Sequence, residues 1–92
     1  MADGDPTVNS TEAQAAVTAA LDSVVVIDNI TTNDDAVAEQ TTAEKADDAD
    51  RNYRHIEIMK DKTWFWDTAT ADQKTALSDA ITAGKAYYDA NK

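Results

Sequence analysis

From residue 7 to residue 92 the backbone carries a single breaker, Gly84; the other glycine, Gly4, and the sole proline, Pro6, lie at the N-terminus. Long segments without Gly or Pro, opened by capping residues and striped with apolar side chains three and four apart, read as helices. The expectation is an all-α fold of three helices. Residues 1–8, where Gly4 and Pro6 sit among polar neighbours, suit an extended, flexible arm, and residues 9–92 form one helical domain, the most that 92 residues allow.

The first helix can start at Asn9, which has Glu12 three positions on, or at Thr11, which has Gln14; either is a capping-box spacing. It runs to about residue 28 on a stripe of Ala13, Val17, Ala20, Leu21, Val24 and Ile27. The β-branched run 24–27 also suits a strand, but a lone strand has nothing to pair with, which favours helix. Residues 29–33 read as a turn. Thr32 or Asn33 then caps a second helix whose first turn holds Asp34 and Asp35, favourably placed for the helix dipole.

Nothing in composition stops that second helix before residue 61. A helix of about 28 residues is about 42 Å long, more than a compact domain of this size needs, so its continuity stays open. Its stripe is Ala38, Thr42, Ala46 or Lys45, Ala49, Tyr53, Ile56, and Met59 or Lys60: small residues first, large ones last. After a Trp-rich turn at 63–67, Thr70 opens a third helix with Gln73 three residues later, on a stripe of Leu77, Ala80, Ile81, Gly84 and Tyr88. Gly84 marks either a close approach, by the second helix or another chain, or the helix end. The architecture is thus a long central helix and a helical hairpin around a Trp-rich turn.

The core stock is thin. Leu21 and Leu77 are the only leucines, Phe65 the only phenylalanine, and Ala, Asp and Thr together supply 44 of the 92 residues. Such a chain is expected to self-associate or to be weakly stable alone. The net charge of −10 is uneven: residues 1–50 hold 12 acidic residues against Lys45, while residues 51–92 hold six against seven basic ones. An acidic half, 9–50, precedes an aromatic-rich half, 51–92. This charge opposes direct binding to nucleic acid, which would have to use Arg51, Arg54, Lys60 and Lys62. No apolar run beyond 24–27 suggests a membrane span, and no segment reads as a secretory signal. Secretion by a signal peptide is not expected.

Chemistry finds little footing. Without cysteine there is no thiolate, and the lone His55 lacks the further nitrogen or sulfur ligands that zinc needs. The acidic groups Asp34-Asp35 and Asp47-Asp48 with Asp50 lack the spacing and central glycine of a calcium loop and read as solvated faces. Ser10, Ser23 and Ser78 have no strained turn or glycine-rich loop beside them, so a catalytic triad has no scaffold. The expectation is a non-enzymatic protein with no cofactor, no metal and no small-molecule substrate.

The informative segment is Trp64-Phe65-Trp66. With Tyr53, Tyr87 and Tyr88 it places all six aromatic residues in the last 40 positions, and aromatic side chains dominate both cores and interfaces. The cluster can be the core between the second and third helices; yet three consecutive aromatics cannot all face inward, and an extended turn would send Trp64 and Trp66 to opposite sides. Tyr53, Ile56, Met59, Trp64, Phe65, Trp66, Tyr87 and Tyr88 are the candidate partner-binding residues.

The stretch 51–59 (Arg51-Asn52-Tyr53-Arg54-His55-Ile56-Glu57-Ile58-Met59), followed by Lys62-Thr63-Trp64 and by Asp72-Gln73-Lys74-Thr75-Ala76-Leu77, resembles small helical proteins of tailed bacteriophages. Those place an Arg-x-x-Arg helix, a Trp-containing turn and a Gln-Lys-x-x-Leu helix in tail-fibre assembly and small virion proteins. The resemblance implies an accessory subunit of a phage virion, decorating the capsid or associated with tail or fibre, that docks on copies of itself or on other virion proteins. A tail or fibre assembly chaperone is the alternative, although the chain has Ala86-Tyr87-Tyr88-Asp89 where those chaperones end in Tyr-Arg-x-x-Leu-Arg. Charge alone also suggests an acidic mimic of DNA.

Overall fold

A computed structural model describes residues 5–92. Three long helices, α1 (Thr11–Thr32), α2 (Thr42–Lys60) and α4 (Ala71–Asn91), pack on one another, and a single helical turn, α3 (Thr63–Trp66), joins α2 to α4. A 3-10 turn, Asp34–Val37, follows α1, and there is no strand among the described residues. The fold is all-helical, in a bundle 41 × 21 × 19 Å.

The buried faces match the expected stripes in part: Ser23 and Ile30 join them on α1, while the expected Leu21, Val24, Ile81 and Tyr88 are half-buried. The buried residues on α1 are Ala13, Val17, Ala20, Ser23, Ile27 and Ile30, on α2 Ala46, Ala49, Tyr53 and Ile56, and on α4 Leu77, Ala80 and Gly84. Residues 24–27 are helical: Ile27 is fully buried while Val25 is 57% exposed, which is helical rather than pleated spacing. Six of the buried apolar residues are alanines, so the helices approach closely over small side chains instead of interlocking large ones.

Several local expectations are corrected. Ser10 caps α1 from between the two proposed caps: its hydroxyl accepts from the Ala13 N–H at 3.1 Å. Asn9 instead takes a positive φ of 65°, a conformation Asn tolerates better than most residues. The expected turn at 29–33 is mostly helix, since Ile30 is buried and holds the last turn against the core. The Thr31 and Thr32 hydroxyls donate back to the Ile27 and Asp28 carbonyls.

The long second helix does not exist as one piece. Asp34 and Asp35 belong to the 3-10 turn, and α2 starts at Thr42, so Ala38 and Thr42 of the expected stripe are exposed. Its true start is a capping box. Thr41 Oγ1 accepts from the Glu44 N–H and Glu44 Oε1 from the Thr41 N–H, both at 3.1 Å, with Thr41 extended. The Gln40 amide also donates to Asp48 Oδ2, pinning the connection to α2. Breaking the segment lets α2 double back on α1 at a matching length. The box at Thr70 and Gln73 forms as expected, with bonds of 3.1 and 2.9 Å.

At the other end the expected arm is visible from residue 5; residues 1–4, with Gly4, lie outside the described residues. Residues 5–8 are not helical, and Asn9 donates its N–H to Thr68 Oγ1 at 2.9 Å. That bond places the start of α1 beside the α2–α4 connection, so α1 and α2 run antiparallel. The Trp-rich segment is a helical turn, not an extended one, with Lys62 as its extended N-cap residue.

Gly84 lies inside α4, which continues to Asn91, so the close-approach reading holds. A Cβ there would stand 2.9 Å from Tyr53 Cβ, 3.3 Å from Ile27 Cδ1 and 3.4 Å from the Ala49 carbonyl oxygen. Alanine would gain up to about 1 kcal/mol in helix propensity. Overpacking costs about 1–3 kcal/mol, and Tyr53 Cβ cannot swing away because the α2 backbone fixes it. Gly84→Ala should therefore lower the thermal midpoint by several degrees with little loss of helical circular dichroism at 20–25 °C, roughly 4–8 °C per kcal/mol for a chain of this size; a raised midpoint would refute the packing argument.

Candidate functional site

Phe65 is the only one of the three consecutive aromatics that enters the core, at 0% exposure. A helical turn explains why: neighbouring residues point about 100° apart, so burying Phe65 leaves Trp64 and Trp66 on its two flanks, each half-buried. The expected division into one inward and one outward tryptophan is replaced by an inward phenylalanine between two partly exposed indoles. Trp64 meets the Phe65 ring edge-on at 6.1 Å. Two ammonium groups lie over the Trp66 ring, Lys60 Nζ at 5.3 Å and Lys74 Nζ at 5.8 Å from its centre, within cation–π range.

Backbone and side-chain bonds fix the turn. Phe65 and Trp66 donate their N–H groups to the Lys62 carbonyl at 3.0 Å, and Thr68 Oγ1 donates to the Trp64 carbonyl while accepting from Asn9 N–H. Beside it a groove of about 430 Å³ runs between Pro6 and Val8 on one wall and Lys62, Thr63 and Trp64 on the other. Val8 is 38% exposed there. The Trp64 Nε1–H is buried and has no hydrogen-bond partner among the described residues, a state that costs about 1–3 kcal/mol.

The other candidates separate by burial. Tyr53 and Ile56 belong to the core with Phe65, while Met59 and Tyr88 pack partly buried against it and Tyr87 is half-buried. Tyr88 reaches Tyr53 at 6.4 Å, and Lys92 Nζ lies 5.8 Å from the Tyr88 ring centre. The tyrosines at 87 and 88 are thus tied to the α4 end, on the far side of Gly84 from α3. The exposed apolar residues that the aromatic criterion misses are Val8, Val25 and Ile58, the last 62% exposed. The signal for Val25 was present: four consecutive apolar residues on a helix cannot all face one side.

Burial pushes the Tyr53 hydroxyl above its ordinary value, the Asp50 carboxylate adds to this, and Arg54 opposes it; Asp50 in turn raises the Arg54 guanidinium. Of the residues that could be assembled into a catalytic set, Ser10 caps α1, Ser23 is buried in α1, Ser78 is on α4 and His55 is exposed on α2. No group of three or more metal-ligating side chains occurs among the described residues. No protein-family model matches the chain, and neither a curated protein nor a solved structure matches it.

Phe65 and Trp66 should respond differently to truncation. Phe65→Ala should cost about 3–5 kcal/mol, enough to unfold most of a domain this small, whereas Trp66→Ala should leave the helical signal intact; equal loss of helix in both would show that Trp66 is core. Alkali gives a second check. A tyrosine whose folded-state value is raised contributes stability that is present below its unfolded value of about 10 and lost as pH rises through the folded value. Helical signal should therefore fall above about pH 10, and less so in Tyr53→Phe.

Proposed function

We propose that this chain is a non-enzymatic docking subunit that meets another protein chain through its α3 end. The observation that supports it best is the aromatic turn: Phe65, locked in the core, holds Trp64 and Trp66 half-exposed on either side. Rigid aromatic side chains at the surface lose little freedom on binding and commonly anchor interfaces. The adjoining groove has apolar walls at Pro6, Val8 and Trp64.

The setting is the one implied by the likeness of 51–77 to small proteins of tailed phages: an accessory subunit of the virion. In that arrangement the α3 end, with the start of α1 beside it, faces the particle, and the other end of the bundle, at 32–42, is displayed. The assembly-chaperone reading uses the same surface for transient binding.

Particle composition separates the two. Quantitative mass spectrometry of purified particles from the producing host should find the chain in stoichiometric copies, and Trp66→Ala should reduce that incorporation about tenfold or more, as loss of an anchor contributing over 2 kcal/mol implies. A chain abundant in the lysate and absent from the particle would refute the subunit reading in favour of the chaperone.

A further inference from the structure

Nothing in composition forces the chain to turn between α1 and α2, since residues 7–83 hold neither Gly nor Pro. Much of that connection is already close to helix. Asp34–Val37 form a 3-10 turn and Ala38 is αR, with φ −60° and ψ −23°, a small step from α-helical geometry. The clear departures are at Asn33, with ψ 78°, and at Thr41, with ψ 164°. Burial holds little of the segment, because Asp35, Ala36, Ala38 and Glu39 are exposed. Polar bonds fix the turn instead: the Thr41–Glu44 box and the Gln40 amide on Asp48.

The phase of the two helices adds a second observation. Carried through the connection as one helix, residues 11–60 would be about 75 Å long. At about 100° per residue, the buried residues of both helices, from Ala13 to Ile30 and from Ala46 to Ile56, would then fall within one arc of about 160°. A hairpin connection need not keep two stripes in phase, whereas a continuous helix with one buried side must.

We infer that the connection is a hinge through which this chain exchanges α1 with a second copy. The hinge straightens, α1 leaves its own α2 and α4, and it takes the same place on those of the second copy, whose α1 moves the other way. The fold itself specifies the occupant: each α1 meets the surface that it already covers within one chain, where Ile27 lies against Gly84. Core burial is thus the same in both forms, and they differ at residues 33–41 and in the entropy of joining two chains, which rising concentration offsets. Asp35 and Glu39 of the two copies come together near the two-fold axis, so the dimer gains as salt screens them. The dimer carries its two α3 ends at opposite tips, because α3 lies at the end of the bundle away from the hinge. The exchange uses neither tryptophan, so it stands or falls apart from docking through the α3 end.

Refolding tests this. Carbon-13-labelled and unlabelled full chains, unfolded together in guanidinium chloride and refolded at millimolar concentration in high salt, should give a dimer that size-exclusion chromatography separates. In it an isotope-filtered NOE should connect the Ile27 methyl of a labelled copy with the Gly84 Cα protons of an unlabelled one. Ile27 Cδ1 stands 3.3 Å from the position of a Cβ on Gly84, and in any dimer that keeps α1 at home this pair belongs to one chain. Ala36→Gly with Ala38→Gly leaves the core untouched but sets four glycines in the two straightened hinges, where glycine is disfavoured against alanine. Dimerisation should weaken at least about a hundredfold in that variant, with monomer helical circular dichroism unchanged. Thr41→Ala, which removes the box that fixes the turn, should raise the dimer share. A chain that refolds only to monomer, a dimer without the cross-chain signal, undiminished dimerisation of the double glycine variant, or a Thr41→Ala variant that dimerises less than the wild type overturns the inference.

Discussion

The packing of the three long helices depends on the close approach at Gly84, where α4 meets Tyr53, Ala49 and Ile27. Only a residue with no side chain fits at 84, since a Cβ there would stand 2.9 Å from Tyr53 Cβ. Glycine inside a helix costs up to about 1 kcal/mol, a cost offset when the close approach brings larger groups into contact. Here it brings Tyr53 over the α4 backbone, Tyr88 against Tyr53, and Ile27 in from α1. One missing Cβ thus joins all three long helices at one level.

The rest of the core follows from the same economy of side chains. Ala13, Ala20, Ala46, Ala49, Ala69 and Ala80 are buried, and alanine fills space only where backbones are near one another. The large side chains, Phe65, Ile27, Ile30, Ile56 and Leu77, are few enough that none is spare. A domain with so little apolar volume keeps its remaining apolar and aromatic surface at the edges: the two indoles beside Phe65, Val25 on α1 and Ile58 on α2.

Charge is arranged by helix as much as by half of the chain. α1 carries only acids, whereas the solvent face of α2 near Ile58 carries Arg51 and Arg54 over intrahelical pairs with Asp48 and Asp50. Exposed pairs of this kind contribute little to stability. With Asp61 exposed one turn after Ile58, they leave that face without an excess of positive charge.

Local rules in the sequence were enough for the helical class, for the inward stripes Ala13 to Ile27, Ala46 to Ile56 and Leu77 to Gly84, and for the Thr70–Gln73 cap. Helical periodicity and capping act over three or four residues, so they are written in the chain itself. What the sequence left open was decided by packing. The break before α2 had a local signal, Glu44 three positions after Thr41, the same capping-box spacing as at Thr70, but residues 34–61 hold no Gly or Pro, so the box competes with continued helix and wins where the chain must double back on α1. Ile30 extends α1 past the expected turn for the same kind of reason, since its burial holds the last turn against the core. Among the aromatics, nothing local distinguishes Phe65 from the tryptophans on either side. Only the seating of a single helical turn against α1 and α2 places the phenylalanine inside and leaves the indoles at the surface, because that choice depends on the space the neighbouring helices leave.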